Sequence, residues 1–132
     1  MHISASVRNS RVSHEVTVST GDSPKTLDIP GRTTGFGSSV NGGEFLMLAL
    51  ATCYCNDLYR EAARLQVSID SVEVEASADF EGIGLAATNV RYRAKVVSSS
   101  SDADIARLLR ETDAVAEIHN TLRAGVAVLR DP

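Results

Sequence analysis

Seven apolar residues stand in a row at positions 45–51, from Phe45 through Leu46, Met47, Leu48, Ala49 and Leu50 to Ala51. The run is far shorter than the ~20 residues a bilayer crossing needs. It reads instead as the start of a helix over residues 44–66 whose second half turns amphipathic. A helix apolar on every side must be covered on every side. One small sheet covers one face, so the second layer has to come from elsewhere in the fold or from a second subunit, and a homodimer is expected on that ground.

The rest of the chain supplies short strands. Ile3, Ala5 and Val7 alternate with small polar residues, as do Val16 and Val18 after the break at Arg8, Asn9, Ser10 and Arg11, which predicts a hairpin. A third strand over 25–29 follows the turn residues Gly21 to Pro24 and ends at Pro30 and Gly31. Five glycines at 31, 35, 37, 42 and 43, without periodicity, predict a mobile loop leading into the helix. Beyond the helix, Val72, Val74, Ala76, Ala78 and Phe80 alternate with acidic and small residues, and Val90, Tyr92, Ala94 and Val96 alternate with basic ones. Two strands with one wet face each follow, and pairing around the 81–88 loop sets Asp79 near Arg91 and Glu75 near Lys95. A second helix starts at Ser101, with Asp104 placed as in a capping box and Ile105, Leu108, Leu109 and Thr112 as its buried stripe. A turn over 116–119 and a last strand over 121–129 complete the order βββ-α-ββ-α-β, an α+β fold in a single domain over residues 1–132.

Composition narrows the partners. Lys+Arg 13 against Asp+Glu 17 gives a formal charge of −4, so no basic field gathers nucleic-acid phosphates or anionic lipid, and neither nucleic acid nor membrane is expected as a partner. The two cysteines, Cys53 and Cys55, enclose too short a loop for a useful disulfide, which excludes a secreted disulfide scaffold. A reducing cytoplasm and no targeting segment are expected.

Few residues offer chemistry. Taken alone, helical thiols are commonly small hydrophobes of the core. Residues two apart on a helix point about 200° apart, so Cys53 and Cys55 have different surroundings and cannot share one ion, and with His119 as the only other ligand type no metal or other cofactor is expected. The glycine-rich loop lacks both the P-loop ending and the dinucleotide fingerprint. His2 and His14 receive no role, and His119 sits where it reaches the long helix.

The stretch from Asn41, Gly42, Gly43 and Glu44 through the apolar run to Thr52 and Cys53 resembles the signature of the OsmC and organic hydroperoxide resistance (Ohr) superfamily. The ending Ile118, His119, Asn120, Thr121, Leu122, Arg123, Ala124, Gly125 and Val126 is similar to that family's C-terminal motif. The resemblance implies an OsmC-like fold in an intertwined homodimer, with central helices packed between sheets and active sites at the subunit interface. It also implies a peroxidase reaction, with Cys53 as the attacking thiol and Glu44 and Arg8 as the residues that orient it. Arg11 is the alternative to Arg8.

Physical chemistry supports this in part. A guanidinium near Cys53 favours the reactive thiolate. Along one straight helix, however, Glu44 lies about 180° around from Cys53, and Asp57, one turn on, opposes ionisation unless an arginine partners it. The motif also sets Ala116 where peroxidase members carry their resolving cysteine. Three readings follow: Cys53 works alone with an external thiol reductant, Cys55 resolves, or the activity is lost. His119 would then stabilise the thiolate or act as a base. A small-molecule organic hydroperoxide is one expected ligand. The alternative is a non-catalytic module binding a small apolar ligand at the dimer interface beside the 31–43 loop.

Overall fold

The computed structural model describes residues 1–132, which fall into two compact units, Met1–Phe45 and Leu46–Pro132. The first unit is a three-stranded antiparallel sheet of β1 (Ile3–Asn9), β2 (His14–Thr20) and β3 (Ser23–Leu27), in the order β1-β2-β3. Arg8 pairs with Glu15 and Val7 with Val16 in the β1–β2 register. At the hairpin turn Ser10 Oγ accepts hydrogen bonds from the backbone N–H of Val12 and of Ser13. Val16 is buried, whereas Ile3 and Val7 on β1 stay exposed.

The glycine-rich loop that follows is ordered by hydrogen bonds. Gly31 bridges Ser38, the Arg32 N–H donates to the Gly37 carbonyl at 2.9 Å, and the Gly37 N–H donates to Asn9 Oδ1 at 3.1 Å. Gly37, at φ +107°, occupies backbone space that a side chain would strain.

The long helix α1 (Gly42–Leu65) opens on a capping box. Asn41 Oδ1 accepts from the Glu44 N–H at 2.8 Å, and Glu44 Oε1 accepts from the Asn41 N–H at 3.1 Å. Its buried stripe starts only at Leu50 and continues through Tyr54, Leu58 and Ala62. The apolar first half is not buried all round in this chain, since Leu48 is 57% exposed.

The second unit packs that stripe against the hairpin of β4 (Ser71–Asp79) and β5 (Thr88–Val97) and against α2 (Asp102–Val115). Tyr54, Leu58, Ala62, Leu108 and Ala116 form the core, with Val72, Val74, Tyr92, Ala94 and Val96 laid against it. The inward residues of the hairpin are the alternating apolar set that the sequence predicts. Over Ser71–Ser77 the register differs from expectation by two residues, with Glu75 opposite Arg93 and Glu73 opposite Lys95, and an irregularity between Ser77 and Asp79 then sets Asp79 opposite Thr88. A slip of two keeps every side chain on its face, so carboxylates still oppose cations, and Arg93 Nε donates to Glu75 at 2.6 Å. On α2, Ser101 Oγ accepts from the Asp104 N–H at 3.1 Å, with Leu108 and Thr112 buried as expected.

The last element is a correction. Where a turn and a strand over 121–129 were expected, the chain forms the helix α3 (Glu117–Ala124), and the residues after it form no strand. The alternation of Leu122, Ala124, Val126 and Val128 that suggests a strand is overridden by helix signals at both ends. Glu117 occupies the first turn, Arg123 the last, and Gly125 closes the helix in the left-handed conformation at φ 63°, ψ 45°. α3 is tied back to α2 by the Asn120 side chain, which donates to the Ala114 carbonyl at 3.1 Å, and by Arg123, which pairs with Asp113 at 2.8 Å.

Leu58 is fully buried at the centre of this core. Leu58→Ala is expected to cost about 2–5 kcal/mol, read from urea unfolding at fixed protein concentration; a loss below about 1 kcal/mol would show that the stripe is not what holds the unit together.

Candidate active site

Side chains four, seven and eight positions after Cys53 share one side of α1, and they bring Asp57, Arg60 and Glu61 into a line beside the core stripe. Cys53 is half-buried, and its thiol donates to Asp57 Oδ2 at 3.5 Å. The first turn of α3 supplies Glu117, whose Oε2 lies 3.8 Å from the same sulfur. Arg60 Nη1 bridges the two acids, at 3.0 Å from Asp57 and 3.4 Å from Glu117. The line continues through Glu61, between Arg60 at 3.3 Å and Arg64 at 2.9 Å, to Glu111 at 3.4 Å from Arg64.

These surroundings hold the thiol protonated. Burial pushes the Cys53 thiol up, and the charges of Asp57 and Glu117 push it further, against a backbone hydrogen bond from Ile118 that favours the thiolate. Burial also pushes Asp57 up, with Arg60 pulling back, so the arginine that sequence reasoning requires beside Asp57 is present without freeing the thiol. Glu117 is held low first by the backbone N–H at the start of α3. The sulfur and carboxylate oxygens of Cys53, Asp57 and Glu117 lie within 4.8 Å of one another, a donor set for a divalent cation, although Arg60 is already paired with both acids.

On the other side of Tyr54 lies an aromatic cluster. His119 packs against Tyr92 with ring centres 4.5 Å apart and against Tyr54 at 5.7 Å. Tyr54 donates to the Leu109 carbonyl at 2.7 Å, and Tyr92 donates to Asp113. Burial pushes Tyr54 up to about 12 and lowers His119, which the nearby Arg123 lowers further, so the imidazole is neutral. Both nitrogens of His119 are buried without a hydrogen-bond partner, a cost of about 1–3 kcal/mol. A cavity of about 1290 Å³ has His119 in its wall.

The other residues expected at the site have local partners. Glu44 is half of the capping box, and Arg8, with 85% of its side chain exposed, lies 3.8 Å from Glu15. Both belong to the first unit, Cys53 to the second. Cys55 is half-buried and free. Sequence reasoning missed Glu117, because it hid α3, and missed Arg60 and Glu61, which the spacing from Cys53 along one helix reveals once they are sought.

The family described as OsmC-like protein matches residues 35–129. The chain belongs to the OsmC-like family. Solved structures share the fold at low identity. An OsmC-like protein from Mycoplasma pneumoniae is 20% identical, with a TM-score of 0.61 over 92% of this chain and 86% of that one. An organic hydroperoxide resistance protein OsmC from Legionella pneumophila is 16% identical, with a TM-score of 0.64 over 97% and 93%. One from Elizabethkingia anophelis, an organic hydroperoxide resistance protein with crystallant-derived thiocyanate bound, is 15% identical, with a TM-score of 0.63 over 97% and 92%. No curated protein matches the chain. No helix of this OsmC-like protein is long and apolar enough to cross a membrane.

Two measurements check the electrostatics. Asp57→Asn removes a charge that opposes ionisation, so iodoacetamide is expected to alkylate Cys53 severalfold faster near neutral pH; an unchanged rate would remove Asp57 as a cause. Because Cys53 keeps its proton more tightly folded than unfolded, its stabilising contribution is full below the ordinary thiol range near pH ~8.5 and is lost as pH rises through the raised folded value. Urea unfolding followed from neutral to alkaline pH is expected to show falling stability, with a shallower fall in Cys53→Ser.

Proposed function

We propose that this OsmC-like protein reduces organic hydroperoxides at Cys53 as a one-cysteine thiol peroxidase. The observation that carries the reading is the setting of the Cys53 sulfur, between the carboxylates of Asp57 and Glu117 and beside an α3 start that carries alanine at position 116. Family membership and the hydroperoxide resistance proteins that share the fold support it.

In this reading Asp57 accepts the thiol proton as the sulfur attacks the terminal oxygen of R–O–O–H. The O–O bond breaks, the alkoxide takes a proton back from the carboxylate pair, and the products are Cys53–S–OH and the alcohol. The sulfur loses two electrons and the peroxide gains them. With Ala116 in place of a resolving thiol, a small external thiol R′–SH attacks the sulfenic acid, releasing water and leaving a mixed disulfide. A second R′–SH restores Cys53 and departs as R′–S–S–R′. A reducing cytoplasm would supply that thiol. Arg8 or Arg11 and Glu44 orient the peroxide in a homodimer whose second copy covers the apolar first half of α1.

The raised thiol favours one rival, a non-catalytic module that binds a small apolar ligand. The two separate on intact mass after stoichiometric cumene hydroperoxide with a sulfenic acid trap. The peroxidase reading expects rapid trapping that survives Cys55→Ser, is abolished by Cys53→Ser, and slows in Asp57→Asn even as alkylation of that variant speeds up. Trapping no faster than that of a free thiol would leave the binding module. Glu44→Gln keeps an oxygen for the cap, so unchanged stability with activity reduced about tenfold or more would assign Glu44 a part in orientation; full activity would leave it a capping residue.

A further inference from the structure

Each of the two acids beside Cys53 divides its oxygens between the sulfur and the arginine. Asp57 turns Oδ2 to the thiol at 3.5 Å and Oδ1 to Arg60 Nη1 at 3.0 Å. Glu117 turns Oε2 to the thiol at 3.8 Å and Oε1 to the same nitrogen at 3.4 Å. The guanidinium therefore stands behind the carboxylates, and the oxygens in front of it face the sulfur. Glu61 holds Arg60 as well, at 3.3 Å, so one cation serves three anions, and the Arg64 that also meets Glu61 is shared with Glu111. Arg8 and Glu44, which the hydroperoxide reading adds, carry opposite charges and leave this balance unchanged. Once Cys53 is a sulfenic acid or a mixed disulfide its sulfur carries no proton, and the two front oxygens lose the donor they share in the reduced protein.

Resting on the hydroperoxide reading, we propose that the thiol reducing oxidised Cys53 is an aminothiol, whose ammonium replaces the lost thiol proton between Asp57 Oδ2 and Glu117 Oε2, and that thiols bearing a carboxylate are disfavoured. An ammonium two carbons from the attacking sulfur brings three N–H donors to the place where both oxygens wait, and hydrogen bonds between ionised partners are the strong ones. A carboxylate in the same position sets a further anion against those oxygens. The approach is open to solvent, with the Glu117 side chain 66% and the Arg60 side chain 48% exposed. The aminothiol sulfur attacks the Cys53 sulfur, the S–O bond breaks and water leaves. A second aminothiol attacks the mixed disulfide, Cys53 regains its proton, and the two aminothiols, having given up two electrons, depart as one disulfide.

The test starts from Cys55→Ser protein whose Cys53 has been converted to the methyl disulfide with methyl methanethiosulfonate, so no hydroperoxide is needed. Cysteamine, mercaptoethanol and mercaptopropionate are compared by the rate at which they restore free Cys53, read by intact mass. Each rate is divided by that on the methyl disulfide of N-acetylcysteine amide, which removes the thiol's own nucleophilicity. Cysteamine is expected to lead, mercaptoethanol to follow and mercaptopropionate to trail cysteamine by about fivefold or more at low ionic strength, with the gap narrowing in about 1 M potassium chloride. Glu117→Gln, at an exposed helix start, is expected to narrow the gap by about twofold or more. Asp57→Asn is expected to narrow it also, and Glu117→Gln keeps the test open should that buried variant fail to fold. Mercaptopropionate as fast as cysteamine, or a gap unmoved by Glu117→Gln, would overturn the assignment. The expected order in a protein that fails to trap a sulfenic acid would support the charge preference and overturn only the hydroperoxide reading.

Discussion

The side chains of α1 divide into two adjacent stripes, and the contrast between them organises the second unit. Leu50, Tyr54, Leu58 and Ala62 are buried against the β4–β5 hairpin and α2, and their burial fixes the rotation of the helix about its axis. Once that rotation is set, Cys53, Asp57 and Glu61 must face the edge of the core, where α3 and the C-terminal end of α2 reach them. Asp57 is 6% exposed, a burial that a carboxylate tolerates only with a partner, and Arg60 three residues on supplies it. The setting of Cys53 is thus a consequence of how a leucine packs one turn away.

That arrangement sets opposed demands on the thiol. A nucleophilic cysteine works as the thiolate, and partial burial next to two acids opposes its formation. The same acids lie within 3.5 and 3.8 Å of the sulfur, so a departing proton has a carboxylate to receive it. The arginine between them holds both carboxylates in reach of the sulfur while limiting their combined charge.

Much of the fold was legible because it rests on local periodicity. The alternation in Val72 to Ala78 and in Val90 to Val96, the Ser101 cap and the apolar run before Cys53 are each read from neighbours a few residues apart. The register of β4 with β5 was not, because a slip of two residues changes pairing without changing which face each residue occupies. α3 was misread because a segment of eight residues shows two periods almost equally well, and the contacts that decide between them, Asn120 to Ala114 and Arg123 to Asp113, are made to another helix. With α3 hidden, Glu117 was absent from the reading of the site, and the half of Cys53's environment that comes from 64 residues away was hidden with it.

The amino-acid sequence by itself determined the element types as far as α2, the apolar faces, the family and the candidate thiol, since each is written in short-range patterns of residue type. Asp57 one turn after Cys53, and the requirement for an arginine beside it, belong to the same local logic. The three-dimensional structure decided what the thiol meets across the core, that Glu44 closes a cap, that His119 is left without a hydrogen-bond partner, and that the charges of β5 border a cavity. These depend on contacts between distant segments, whose energies are set by burial and geometry that no local pattern encodes.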